Sequence, residues 1–356
     1  MINRGQQLVG ANGGDENQNH RSLASPPPLV LRAGRYLPTL IFLGLAVHLV
    51  LPQLASVEES LQVIKAMALW AVLLAALAQT ISYMGSGYLL HSIAATVNQK
   101  LSVPRGILIT LAAASVGLLA GGPLGNGAAT YRWVRKQGVS AEGSGLAGTL
   151  PTLFNNTILI ILGVAGMLHL LTEKELSPIQ ALAFLLILIG LSLGLAAVSW
   201  GKRHREVFTS AAVRKAALFY RAFHMPYTPN STETAVSRMF AAFDLLEKGG
   251  WKRPALGATL TASFDMLTLY FFFIAAGNPV SPSILLVGYG LPLLFGRLAF
   301  LLPGGVGIVE STMAALYTGL GVPGPIAVVA ILSYRMFSFW IPTFIGFPLA
   351  AYLQRK

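Results

Sequence analysis

Long apolar runs separated by short polar ones set the pattern of this chain. Eight runs stand out: Tyr36–Leu54, Met67–Leu90, Ile107–Ala120, Leu146–Leu171, Ile179–Trp200, Ala255–Ala276, Ile284–Leu302 and Ile326–Leu353. A helix that crosses a bilayer needs roughly 20 predominantly apolar residues. The third run reaches that length only if Val103–Arg105 is included. The pattern predicts an all-α integral membrane protein, a polytopic helical bundle of about eight spanning helices. Residues 1–34, rich in Asn, Gln and Gly and containing Ser25-Pro26-Pro27-Pro28, read as a disordered cytoplasmic tail. No apolar core with a small-residue cleavage site precedes Leu29, so the first helix is expected to stay as an anchor. Residues 35–353 then form one transmembrane domain.

Basic residues mark the cytoplasmic side of a membrane protein, and their positions demand more crossings than hydropathy finds. Arg21, Arg32 and Arg35 put the N-terminus inside. Glu58 and Glu59 fall in the first outer loop, and Lys100 and Arg105 in the next inner one. The loop 201–253 carries ten Lys/Arg against four Asp/Glu, and Gln354-Arg355-Lys356 ends the chain. Both should be inside, yet five crossings from an inside start leave the large loop outside. A crossing within Gly121–Gly143 and another between Pro303 and Gly324 restore the parity. Each is short and interrupted by Gly and Pro, as in a broken or re-entrant segment, which membranes tolerate only where protein or water surrounds it.

These two segments lie 180 residues apart, Pro123 against Pro303 and Gly127 against Gly307. Leu118/Leu298, Ala147/Ala327 and Gly166/Gly346 keep the same offset, and the neighbouring helices fall in step. The expected architecture is an inverted internal repeat, with repeat one at about 55–178 and repeat two at about 230–353. Paired interruptions in inverted halves point to a transporter's binding site, because broken helices expose backbone groups and helix-end dipoles at mid-membrane depth.

Composition agrees with this class. The chain is 54% hydrophobic and 11% charged, with a mean hydropathy of +0.65; soluble proteins are about 25% charged. The formal net charge of +12 resides in short loops beside the membrane, which argues against nucleic acid as partner. With no cysteine, disulfides and thiolate metal sites are excluded. No metal-ligand spacing, phosphate loop or nucleophile elbow is present, so neither a cofactor nor an enzymatic activity is expected.

Ionisable groups inside the spans carry the chemistry, since each costs about 2.5–3.5 kcal/mol at a helix centre. Asp265 sits midway along the sixth run, Glu310 in the second broken segment, Arg335 in the last run and Arg297 near the inner end of the seventh. Glu310 with Arg335, or Asp265 with Arg297, would offset one another, either locking helices together or lining a polar path. Arg297 could also snorkel to the inner interface. Asn155 and Asn156 stand opposite Arg335 in the repeat. Gly122, Pro123, Gly125 and Gly127 in one half, and Pro303, Gly304, Gly305 and Gly307 in the other, shape the broken segments. In the inner loop, 208–223 and 230–248 have amphipathic patterns that suit helices on the membrane surface.

The stretch Leu301-Leu302-Pro303-Gly304-Gly305-Val306-Gly307-Ile308-Val309-Glu310, with Tyr334-Arg335 and Phe339-Trp340 downstream, resembles the flippase-like transmembrane region of lysylphosphatidylglycerol synthases. Gly122-Pro123-Leu124-Gly125 with Asn155-Asn156 is similar to that family's first-half motif. The resemblance covers about residues 35–353 and implies a stand-alone member without the aminoacyl-transferase domain, resident in a bacterial inner membrane. It implies a flippase or transporter for a phospholipid or other polar-headed lipid; a homo-oligomer is a separate expectation. A lipid-modifying membrane enzyme, an accessory subunit of an envelope-lipid pathway and a small-solute carrier are the rival readings.

Overall fold

The computed structural model describes residues 57–119, 122–173, 178–222, 250–298 and 305–355, with single positions between 230 and 244. The N-terminal tail, the run Tyr36–Leu54, the residues Pro303 and Gly304, and most of 223–249 lie outside the described residues. Every regular element among the described residues is helical: α1 (Val57–Ala66), α2 (Leu69–Thr96), α3 (Val103–Leu119), α4 (Pro123–Lys136), α5 (Ala141–Glu173), α6 (Pro178–Arg203), α7 (Arg205–Ala222), α8 (Lys252–Ala275), α9 (Pro282–Leu298), α10 (Ile308–Gly319), α11 (Gly324–Arg335) and α12 (Ile341–Arg355). A π-helical turn, Met336–Trp340, joins α11 to α12. The chain is thus an all-helical membrane protein.

Four stretches are long and apolar enough to cross a bilayer: Leu69–Thr96, Ala141–Thr172, Lys252–Ala275 and Gly324–Arg355. The apolar helices Val103–Leu119 and Pro282–Gly296 are shorter. Helix α3 starts at Val103, so it includes the residues its apolar run needed for length. The segment Gly121–Gly143 holds the short helix α4, and α10 occupies the corresponding place in the second half. The amphipathic stretch 208–223 falls on α7. Of the 230–248 pattern, Val236 and Phe240 are buried, and Phe240 meets Phe208 edge-on.

The bundle is organised on α2 against α8. Contacts pair Leu89 with Gly257, Gly85 with Thr261, Gln79 with Asp265 and Ala75 with Thr268. One number falls as the other rises, so the two helices run antiparallel. Small residues set the spacing, as lipid supplies no hydrophobic drive for helices to meet. A Cβ on Gly85 would stand 2.7 Å from the Thr261 nitrogen, and one on Gly257 would stand 2.8 Å from the Leu89 Cα. Helices α5 and α9 also pack antiparallel through glycine, Gly163 against Gly290. Ser115 of α3 donates to the Thr343 carbonyl of α12 at 2.7 Å.

These pairings sort the loops by charge. The Lys136 ammonium at the end of α4 donates to the carbonyls of Leu353 and Gln354, at 3.2 and 2.9 Å, at the end of α12. The end of α2 lies beside the start of α8. Lys100, Arg105, Lys136, Lys252, Arg253 and Arg355 therefore gather at one end of the bundle. At the other end the Ala68 N–H donates to the Ala275 carbonyl, near Glu58, Glu59 and the uncharged loop 277–281. The outward faces are apolar: Leu182, Leu185, Leu186, Ile189 and Leu193 are exposed along α6. In water such a stripe would drive aggregation; in a bilayer it is the surface that lipid wets.

Replacing Gly85 by Leu should destabilise the protein by about 1–3 kcal/mol, because the backbones of α2 and α8 must part. Gly190→Ala, at a helical position with open space around it, should leave stability unchanged or slightly raised. Thermal midpoints of the two variants in detergent check this.

Candidate functional site

Polar side chains in membrane helices seek each other, because apolar surroundings offer no other hydrogen-bond partner. Here they converge on a cavity of about 380 Å³ among α2, α3, α4, α5, α8, α9 and the α11–π-turn junction. Asp265, midway along α8, anchors one side. Its Oδ1 accepts from the Gln79 amide of α2 at 3.0 Å. Its Oδ2 accepts from the Tyr289 hydroxyl at 2.8 Å and the Tyr334 hydroxyl at 2.7 Å. One carboxylate thereby ties α2, α9 and α11 to α8.

The second centre is an ion pair. Gly307 has φ +85, a backbone conformation that costs most side chains energy but not glycine. It begins α10, and a first-turn N–H has no partner within its own helix. Glu310, three residues on, reaches back so that its Oε2 accepts the Gly307 N–H at 2.7 Å. Its Oε1 is left for Arg335, whose Nε donates at 2.5 Å. The two side chains are 13% and 6% exposed, so neither charge is screened well by solvent. The Arg335 guanidinium also lies 4.4 Å from the centre of the Phe339 ring, a cation–π contact.

The π-helical turn follows Arg335 directly. Such turns shift carbonyls away from their α-helical donors and recur at functional sites. The Tyr83 hydroxyl of α2 stands 3.0 Å from the Ser338 carbonyl and 3.3 Å from that of Phe337, to which it donates. Helix α2 thus contacts both the Asp265 centre and the turn beyond Arg335.

Of the residues expected from sequence, Asp265, Arg335, Asn155, Gly122, Pro123 and Gly305 line the cavity, and Glu310 reaches it through Arg335. Gly122, with φ +63, precedes α4 and Pro123 is its first residue. Gly125 and Gly127 lie within the first turns of α4, and a Cβ on Gly127 would stand 2.6 Å from the Gly148 carbonyl of α5. Asn156 is half-buried on α5 outside the cavity lining. Arg297 falls in the last turn of α9, with its side chain outside the described set, so its pairing with Asp265 does too. Among the described residues Asp265 accepts from Gln79 and two tyrosines. Gln79 carried a sequence signal, as a lone amide inside an apolar run. Tyr83 and Tyr289 carried none, since tyrosine is ordinary in membrane helices. Among the described residues no cluster of three or more His, Asp or Glu could hold a metal.

Comparison with known proteins extends this picture. A profile of the family described as "Lysylphosphatidylglycerol synthase TM region" matches residues 41–346, a stretch that contains every described residue of the cavity lining. A UPF0104 membrane protein of Pyrococcus horikoshii is 33% identical over 101 residues, 27% of this chain and 30% of that protein. A UPF0104 membrane protein of Methanothermobacter thermautotrophicus is 40% identical over 82 residues, 23% of this chain and 24% of that protein. The chain spans less than a third of the length of either relative.

Glu310→Gln or Arg335→Gln alone should destabilise by about 3–5 kcal/mol, since each leaves one buried charge unpaired. The double variant should cost less than the two singles combined. A double-mutant cycle on thermal or denaturant stability in detergent measures the coupling; additive losses would contradict the pairing.

Proposed function

The chain belongs to the lysylphosphatidylglycerol synthase TM-region family, and from that premise we propose that it moves a polar-headed lipid between the leaflets of the cytoplasmic membrane, as a flippase or lipid transporter. The observation that carries the reading is the polar cavity itself, set among helices whose outer faces are apolar. A headgroup could travel through the cavity while its acyl chains remain in lipid. Asp265, and Arg335 with its partner Glu310, border that path, and Phe339 and the π-helical turn sit beside it.

The two halves act as inverted repeats in this account. The antiparallel crossing of α2 and α8 supports it. So does the repeated packing order, in which α3–α4–α5 of one half corresponds to α9–α10–α11 of the other. Helices α4 and α10, with 14 and 12 residues, are about 21 and 18 Å long at 1.5 Å per residue. Neither spans the roughly 30 Å hydrocarbon layer alone, which suits broken or re-entrant segments. Both short helices start beside the cavity, where their N-terminal dipoles bear on whatever enters. The basic end of the bundle is assigned to the cytoplasm, which puts the C-terminus inside.

In proteoliposomes, the purified protein should carry a tail-labelled phospholipid to the opposite leaflet faster than protein-free vesicles allow. Arg335→Ala and Asp265→Asn should lower that rate by roughly tenfold or more, the loss of one charged interaction. Absence of movement for anionic, cationic and polyprenyl-linked lipids alike would sink the transporter reading. Orientation is tested apart from this: in a chain without cysteine, Gln137→Cys should react with an impermeant thiol reagent only from the cytoplasmic side.

A further inference from the structure

In this cavity the charged groups already hold partners within the protein, and the uncharged ones keep open positions. The oxygens of Asp265 hold Gln79, Tyr289 and Tyr334, and those of Glu310 hold Gly307 and Arg335. Arg335 is the one Lys or Arg among the described residues of the lining. A phosphate would have to share that guanidinium with Glu310, adding a second anion to a buried pair already in charge balance. An ammonium group at Asp265 would meet a carboxylate that already accepts three hydrogen bonds, from Gln79, Tyr289 and Tyr334.

Gln79 shows what the cavity lacks. It is 3% exposed, and its amide orientation is determined by chemistry. A carboxylate acceptor requires the Nε2 side toward Asp265, so Oε1 must be the free atom. That Oε1 is buried without a hydrogen-bond partner among the described residues, as are Asn155 Oδ1 and Ser338 Oγ. All three residues line the cavity. On the Asn155 wall, Pro151 lacks the N–H that would close the Ala147 carbonyl inside α5, and both residues also face the cavity. The open positions are therefore carbonyl-type acceptors and one hydroxyl, in a site whose charges are already balanced in pairs or capped by donors. Their complement is a group that donates hydrogen bonds without bringing a charge.

We propose that the cavity binds the hydroxylated, uncharged part of a lipid headgroup, a glycerol or a sugar, with Gln79 Oε1 and Asn155 Oδ1 accepting from its hydroxyls. This deepens the transporter reading and rests on it for the cavity's role, but the binding preference is measurable without transport.

The full-length protein in detergent is titrated with phosphatidylglycerol, a glucosyl diacylglycerol, phosphatidylethanolamine and phosphatidic acid while its thermal midpoint is followed. One or both hydroxylated lipids should stabilise it at roughly tenfold lower concentration than the ammonium or bare-phosphate lipid, the effect of one or two net hydrogen bonds. Glycerol and sugar are told apart by which of the first two arms responds. Asn155→Leu, which leaves Asp265 untouched, should erase that preference while phosphatidylethanolamine binding stays as it was. Ser338→Ala provides a second, smaller change should Asn155→Leu lower the lipid-free midpoint. Equal or tighter binding of phosphatidylethanolamine or phosphatidic acid, no binding of any lipid, or an undiminished preference in both variants would overturn the proposal. Hydroxyl-selective binding without lipid movement in proteoliposomes would instead remove the transporter reading and leave this assignment standing.

Discussion

A charge inside apolar helices must find its counterpart within the protein, and that constraint arranges most of what surrounds the cavity. Glu310 meets it twice over. One oxygen satisfies the backbone at the start of α10 and the other holds Arg335, so a helix terminus and a buried cation are neutralised by a single carboxylate. Among the described residues Asp265 meets it through one amide and two phenols from three different helices. Because each centre draws donors from several elements, moving any of these helices would disturb a charge as well as a packing contact. The polar groups thus specify the arrangement of helices whose apolar surfaces alone would not distinguish one neighbour from another.

Close packing makes those contacts reachable. Gly85 and Gly257 bring the backbones of α2 and α8 together, which puts Gln79 within hydrogen-bond reach of Asp265. The π-helical turn after Arg335 does similar work at the other centre by offering carbonyls to Tyr83. Short helices that begin beside the cavity add backbone ends at a depth where continuous helices would offer only side chains. The result is a polar interior enclosed by lipid-facing leucine and isoleucine, a distribution suited to a molecule with a polar head and apolar tails.

Much of this was legible in the sequence because the signals were local. Apolar runs located the long helices, and α5 and α6 extend beyond theirs at both ends, since hydropathy marks the bilayer-facing core of a helix rather than its ends. Gly122-Pro123 and Gly305-Val306-Gly307 announced the irregular starts of α4 and α10 through residues that permit positive φ. The parity of basic loops pointed to extra passages at those places, and the gathering of Lys136 with the end of α12 accords with it. The environment of Asp265 was not legible. Its partners come from positions 79, 289 and 334, brought together only by tertiary packing, and an apolar helix gives no periodic sign of which face holds its single polar contact. Charge is conspicuous in an apolar run, whereas amides and phenols such as Gln79, Tyr289 and Tyr334 are not.

The central claim is that the cavity is a path for a headgroup and not a sealed polar core. Thr152, exposed on α5 and part of the lining, tests it in a chain with no other cysteine. In proteoliposomes, Thr152→Cys should react with a membrane-impermeant thiol reagent, and added phosphatidylglycerol should slow that reaction. A cysteine that stays unmodified from both sides of the membrane, or one whose reaction is indifferent to every lipid added, would contradict the account.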